Sequence, residues 1–101
     1  ITSEKVLSLR IDESLYFPNA RFLEDTIYGY VGREPEINDV IIVFSAINYL
    51  DASALESLES INRRLADAKV NLHFSEVKGP VMDQLQRTNF LAELSGQVFL
   101  S

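Results

Sequence analysis

The chain has 101 residues, of which 47% are hydrophobic and 24% are charged, with a formal net charge of −6 at pH 7 and no cysteine. This balance is typical of one folded domain and excludes an intrinsically disordered chain, while the missing thiols exclude disulfides and thiolate metal sites. The acidic balance argues against nucleic acid as a partner, because phosphate contacts need grouped Lys and Arg.

The first third of the chain predicts a hairpin followed by a helix. Apolar and polar residues alternate at residues 6–11, which is the period of a strand with one buried face. A turn at residues 12–14 and a second strand at residues 15–17 complete an antiparallel hairpin. Asn19 is then the predicted N-cap of a helix that runs to Gly32.

The rest of the chain alternates strands with helices. The continuous β-branched run at residues 40–44 is typical of a central strand covered on both faces, as in parallel sheets. The following elements are predicted at residues 53–68 (helix), 70–74 (strand), 79–95 (helix) and 98–100 (strand). This order predicts an α/β fold with a small, mixed, mainly parallel sheet that has an N-terminal antiparallel hairpin and is packed by three to four helices.

The chain ends suggest a module of a larger protein. The first residue is Ile1 rather than Met, and the apolar residues 98–100 lie almost at the chain end. The longest strongly apolar run, at residues 40–44, is far shorter than the roughly 20 residues that cross a bilayer. We therefore expect a single domain spanning residues 1–101, excised from a longer chain.

The most informative segment is the predicted strand-to-helix turn at residues 44–56. Functional loops of open α/β sheets gather at the carboxyl ends of strands, where helix N-termini present unpaired N–H groups. Ser53 and Glu56 have the spacing of a capping box, which makes Ser53 a structural N-cap. The functional alternative is phosphorylation of Ser53, which adds a charge of about −1.5 to −2. Asp51 would repel that phosphate, so the modification is expected to change the surface more than the fold.

Enzymatic interpretations are weaker. A nucleophilic Ser53 needs an imidazole, and His73 lies within a predicted strand with no evident orienting carboxylate. A phospho-acceptor role for Asp51 needs a lysine after the last strand, where the chain has Leu100 and Ser101. The acidic groups lack histidine companions for a transition-metal site. We therefore expect no catalytic residues, no metal and no enzyme activity.

Three segments make the chain resemble STAS domains, the module shared by sulfate transporters and anti-sigma factor antagonists. They are LYFPNA at residues 15–20, INYLDASALESL at residues 47–58 and VKGPVMDQLQRTNF at residues 77–90. The first and third look like the transporter branch, the SulP-type sulfate and anion permeases. The resemblance covers nearly the whole chain and implies the STAS-like fold of the anti-sigma factor antagonists.

The resemblance implies a non-catalytic regulatory and interaction domain at the cytoplasmic face of the inner membrane, belonging to a sulfate or related anion transporter. The implied regulatory and phosphorylation site is Ser53. Asn48, Asp51, Ala52 and Ala54 would form with it a turn that contacts a partner, an anion or a nucleotide. The implied partners are the transmembrane part of the same transporter, a cytosolic regulatory protein or kinase, and a second copy of the chain.

The alternative function is that of a free-standing anti-sigma factor antagonist switched by phosphorylation of Ser53. Antagonists commonly have serine and glycine where this chain has Ala52 and Ala54, and the loss of glycine removes backbone freedom at the turn. This departure disfavours kinase docking of the antagonist kind. No cofactor is expected beyond weak purine nucleotide binding, which only the resemblance implies.

Overall fold

In a computed structural model the described residues are 5–11 and 17–100. Within them the chain forms four strands and four helices. The strands are β1 Lys5–Arg10, β2 Ile37–Val43, β3 Asn71–Val77 and β4 Val98–Leu100. The helices are α1 Phe17–Arg33, α2 Ala52–Asp67, α3 Gly79–Gln86 and α4 Phe90–Glu93.

The described strands form one sheet in the order β1-β2-β3-β4, and every neighbouring pair is parallel. Parallel neighbours need crossover connections, which α1, α2 and the α3–α4 pair supply between successive strands. The predicted α/β class and the central position of β2 are confirmed. The turn of the predicted hairpin and most of its second strand, residues 12–16, lie outside the described residues.

Helix α1 begins earlier than predicted. It starts at Phe17, two residues before the predicted N-cap Asn19, so Phe17 is helical rather than extended. Pro18 is therefore the second helical residue, where its missing N–H removes no intrahelical hydrogen bond. A proline after an aromatic run suits both a strand end and a first helical turn, and the tertiary fold selects the helix.

The region predicted as one helix at residues 79–95 forms two. Thr88 lies between them, and its hydroxyl donates to the Leu85 carbonyl oxygen at 2.9 Å and accepts from the Phe90 amide at 3.1 Å. The side chain thus satisfies backbone groups on both sides of the break. The total of four described helices agrees with the predicted three to four.

One face of the sheet carries the core. Val40 and Ile42 on β2 lie beside Leu72 and Phe74 on β3, and all four are fully buried. The buried apolar residues of all four helices join them in one cluster. On the opposite face Ile41 is only half-buried. The prediction that β2 is covered on both faces is therefore wrong for the described residues, because the helices pack on one side.

Helices α1 and α2 also meet through side chains at the edge of this core. The Arg64 guanidinium lies 3.8 Å from the centroid of the Tyr28 ring. Burial raises the pKa of the Tyr28 hydroxyl, and the Glu24 carboxylate adds to the rise while Arg64 opposes it. The contact therefore joins the two helices next to their apolar interface.

The segment before β4 is attached to the core by a buried amide. Asn62 on α2 is 3% exposed, and its Nδ2 donates to the Glu93 carbonyl oxygen at 2.8 Å. Its Oδ1 accepts from the Ser95 amide at 3.3 Å. The Ser95 hydroxyl in turn accepts from the Leu72 amide at 3.2 Å. Because each of these buried polar groups has a partner, the chain between α4 and β4 follows a defined path across β3.

Gly96 continues this path at a point without room for a side chain. A Cβ there would overlap the Leu72 carbonyl oxygen and lie 2.7 Å from His73 Nδ1. We expect Gly96→Ala to lower the free energy of unfolding by about 1–3 kcal/mol, because β4 must move away from β3. Urea unfolding measures this change.

The matched control is Gly29→Ala in α1, where nothing lies within 4 Å of the added Cβ. Alanine is a better helix former than glycine, so this variant should be more stable by about 0.5–1 kcal/mol. A Gly96→Ala protein as stable as the wild type would contradict the close approach of the two backbones.

Candidate functional site

The turn between β2 and α2 lies at the carboxyl end of the sheet, where the sequence places it. Phe44 and Ile47 are fully buried and Leu50 is 1% exposed, so the core fixes the turn at three points. The Ile47 amide also donates to the Phe44 carbonyl oxygen at 2.9 Å. Asn48 and Tyr49 lie between these anchors and are exposed. The turn therefore presents two side chains from a fixed backbone.

Side chains of α3 and the residue before it hold the turn from the other side. The Leu50 amide donates to Gln84 Oε1 at 2.9 Å, and Gln84 Nε2 donates back to the Leu50 carbonyl oxygen. Lys78 Nζ donates to Asn48 Oδ1 at 3.0 Å. The sequence predictions missed both Gln84 and Lys78. Their only signal is that they lie in the third segment of the resemblance, since the pairing itself depends on the tertiary fold.

Asp51, not Ser53, is the N-cap of α2. Its backbone is extended, with φ −84° and ψ 174°, and its Oδ1 accepts from the Ala54 amide at 2.7 Å. Ser53 is the second residue of the helix, and Glu56 is therefore not the third helical residue that a capping box requires. The capping-box interpretation is wrong because Asp51, an equally good N-cap, lies two residues upstream.

The predicted site residues differ in their solvent exposure. Ala52 is exposed, Ser53 and Asp51 are half-buried, and Ala54 is fully buried in the core. Ala54 is therefore a packing residue and offers no side chain to a partner. The exposed Tyr49, which the sequence predictions omitted, takes its place at 60% exposure. We call Asn48, Tyr49, Asp51, Ala52 and Ser53 the Ser53 turn surface.

His73 does have an orienting carboxylate, contrary to the prediction. Its Nε2 lies 2.8 Å from Asp39 Oδ1, and its Nδ1 accepts from the Gln97 amide at 3.1 Å. Its strand position pairs with Ile41, on the half-buried face, whereas α2 packs against the core face. Both ring nitrogens are thus engaged away from Ser53, and the geometry does not supply a base for a serine nucleophile.

Two further properties concern the described part of the chain alone. No group of three or more His, Cys, Asp or Glu side chains there is arranged to hold a metal ion. Likewise, none of the helices within residues 5–11 and 17–100 has the length and apolar character needed to span a membrane.

Comparison with known proteins identifies the family. A family model described as "STAS domain" matches residues 1–101. The chain belongs to the STAS domain family. Sulfate transporter 3.2 of Arabidopsis thaliana is 25% identical over 103 residues, covering 93% of the chain. High affinity sulfate transporter 2 of Stylosanthes hamata is 27% identical over 107 residues, covering 95% of it. This STAS domain spans 16% of the length of each transporter.

Solved structures show the same STAS fold in two settings. A Thermotoga maritima protein assigned as an anti-sigma factor antagonist aligns with a TM-score of 0.82 at 15% identity, covering 95% of this chain and 80% of that one. The murine anion transporter Slc26a9 aligns with a TM-score of 0.78 at 15% identity, covering 100% and 17%. The SulP transporter STAS domain of Vibrio cholerae aligns with a TM-score of 0.72 at 12% identity, covering 91% and 72%. The predicted STAS-like fold is confirmed.

The position of the N-cap leads to a stability prediction. We expect Asp51→Ala to lower the free energy of unfolding by about 1 kcal/mol, because the Ala54 amide loses its acceptor. Ser53→Ala should change it by less than about 0.5 kcal/mol, because alanine is a good helix former at a position that caps nothing. Urea unfolding of both variants, with Asp51→Asn as a cap-retaining control, measures the difference. A larger loss of stability for Ser53→Ala than for Asp51→Ala would instead support a capping box formed by Ser53 and Glu56.

The Gln84 contact leads to a second prediction. Gln84→Met keeps the length of the side chain but removes both hydrogen bonds to Leu50. One net hydrogen bond contributes about 1 kcal/mol, so we expect the Leu50 amide to lose protection against hydrogen exchange by roughly fivefold. NMR-detected exchange measures this, with the Ile42 amide in β2 as an internal reference. Unchanged protection at Leu50 would show that the buried anchors alone hold the turn.

Proposed function

We propose that this STAS domain is the cytosolic regulatory part of a SulP-related transporter of sulfate or a similar anion. The observation that carries the proposal is the coverage: sulfate transporters match almost the whole chain, while the chain spans only 16% of each. That is the relation expected of one module in a larger transport protein. On this proposal the domain lies at the cytoplasmic face of the membrane, transport belongs to the transmembrane part, and the domain itself is non-catalytic.

The Ser53 turn surface is the proposed contact with another protein surface. Its backbone is anchored by Ile47 and Leu50 and by the Gln84 side chain. A turn that is already ordered loses little conformational entropy on binding. Tyr49 adds an exposed aromatic side chain of the kind that is enriched among energetically dominant interface residues. The transmembrane part of the same transporter is the proposed partner.

Phosphorylation of Ser53 is the proposed control of this contact. A phosphate on the second residue of α2 lies near the unpaired first-turn amides, which favour an anion. Asp51 opposes it, because its carboxylate already accepts from the Ala54 amide at 2.7 Å. The two anions compete for the same end of the helix, so the phosphate displaces the cap and changes the charge of the surface. Nucleotide binding at this turn stays a prediction.

The alternative function is that of a free-standing antagonist switched at Ser53. The observation that favours it is the alignment with 80% of the Thermotoga maritima protein, whose chain is of similar size. Translating the reading frame upstream of Ile1 separates the two functions. A long series of apolar segments supports the transporter module, whereas a short soluble upstream region refutes it.

The switch is tested in the full-length protein by anion uptake into vesicles. We expect Ser53→Glu to change sulfate uptake at least twofold while leaving the thermal stability of the domain nearly unchanged, because added charge alters the contact surface. Ser53→Ala should transport like the wild type. Ser60→Glu is the matched control, since it adds the same charge to α2 two turns away from its N-terminus.

Equal uptake by Ser53→Glu, Ser60→Glu and the wild type would refute a switch at this turn. It would leave the assignment to a transporter untouched, because the upstream reading frame tests that assignment separately.

A further inference from the structure

One imidazole joins three strands on the half-buried face of the sheet. His73 lies in the middle of β3, with Nε2 2.8 Å from Asp39 Oδ1 on β2 and Nδ1 3.1 Å from the Gln97 amide, immediately before β4. The side chains of His73 and Asp39 are 19% and 27% exposed. The ring therefore connects a carboxylate on one neighbouring strand with a backbone amide at the entry to the other.

These contacts determine the tautomer of the ring. A backbone N–H can only donate, so His73 Nδ1 must carry a lone pair, and the ring hydrogen lies on Nε2, directed at Asp39. Protonation would place a second hydrogen on Nδ1, facing the Gln97 N–H, and this hydrogen bond would break. The contact with Asp39 would instead become an ion pair. The two contacts of His73 thus respond in opposite directions to a proton.

Strand β4 is attached to β3 by a short and irregular pairing. It consists of three residues, and its pairing with β3 is irregular between Phe74 and Val77. The Phe74 amide donates to the Gln97 carbonyl oxygen at 2.9 Å, but the Gln97 amide finds its acceptor in the His73 side chain rather than in the β3 backbone. A titratable group thus occupies a position that a backbone carbonyl usually fills in a sheet.

The charged groups near His73 differ from element to element. Strand β2 contributes the Asp39 carboxylate, which also accepts from the Asn71 side chain at 3.4 Å. The Gln97 contact and the described β4 residues contribute no titratable group. The charged residue of β1 on this face, Arg10, pairs with Val43 at the other end of the sheet. Among the side chains that the structure describes, Asp39 is the charged group in contact with the ring.

We propose that His73 is a proton-sensitive latch for β4. The neutral ring holds Gln97 and the strand that follows it against β3, and protonation of the ring releases the Gln97 amide and loosens β4. The released strand carries Phe99 and Leu100, which are already 52% and 64% exposed. Its movement would uncover the outer edge of β3, and an unpaired strand edge is a surface that another chain can pair with. The latch is independent of any role of Ser53.

The test is NMR on the isotope-labelled 101-residue chain between pH 8 and pH 5. We expect the protection factor of the Gln97 amide, corrected for intrinsic exchange, to fall roughly fivefold or more as His73 titrates, the effect of losing one hydrogen bond. The Ile42 amide between β1 and β3 serves as the reference and should not change. The nitrogen shifts of the ring should show an unprotonated Nδ1 at pH 8.

Two variants separate the latch from other titrations. His73→Asn places an amide oxygen near the position of Nδ1, so it can accept from Gln97 but cannot titrate, and Gln97 protection should become independent of pH. Asp39→Asn keeps an acceptor for the ring N–H but removes the charge. Gln97 protection should still depend on pH in this variant, because the contact between Nδ1 and the Gln97 amide is retained.

Gln97 protection that does not change with pH in the wild type overturns the latch, as does the same pH dependence in His73→Asn. Should His73→Asn fail to fold, the ring nitrogens of the wild type decide. A proton on Nδ1 at pH 8 overturns the proposal, whereas an Nδ1 lone pair that is lost in step with Gln97 protection supports it.

Discussion

The parallel register between β2 and β3 is the constraint on which the rest of the structure depends. It sets Ile42 beside Phe74, both fully buried, and so makes one face of the sheet the base of the core. Because side chains alternate along a strand, the same register sets Ile41 beside His73 on the other face and brings Asp39 within reach of the ring. A slip of one residue would exchange the two faces and remove both arrangements.

The same register brings the turn before α2 next to α3. The Phe44 amide, just beyond β2, still donates to the Ser75 carbonyl oxygen on β3 at 2.9 Å, so the pairing with β3 continues to the start of the turn. The residues that follow β3 then lie beside this turn, where Gln84 reaches Leu50 and Lys78 reaches Asn48. The geometry of the Ser53 turn surface is thus a consequence of strand pairing and does not depend on the local sequence of the turn alone.

Periodicity and composition were enough to predict the type and approximate position of the main elements. The β-branched run predicted the central strand, and the apolar stripe before residue 68 predicted α2 to within one residue at each end. The errors occurred where two local solutions compete. Asp51 and Ser53 are both good N-caps, and Pro18 suits both a strand end and a first helical turn. In each case the choice depends on how the flanking residues pack, which a single sequence does not display.

The contacts between distant side chains could not be predicted, for a different reason. Gln84 and Leu50 are separated by 34 residues, and so are His73 and Asp39. No local pattern connects residues so far apart. The sequence predicted both strands, but Asp39 can be placed beside His73 only when the order and register of the strands are known. A long crossover joins parallel strands, so no tight turn fixes that register. The missing information is thus the alignment of elements, not their identity.

The chemistry of the two attachments separates the signals to which this domain can respond. The Ser53 turn is held by the Gln84 amide, which carries no charge and does not titrate, whereas the entry to β4 is held by the His73 imidazole, a group that can take up a proton. A proton therefore acts on the strand edge and leaves the turn in place. On the proposed function, a phosphate on Ser53 would act through the α2 cap, on the same strand-end surface that Gln84 contacts. Strand β3 connects the two places, because it carries His73 in its middle and leads to Lys78 just after its end.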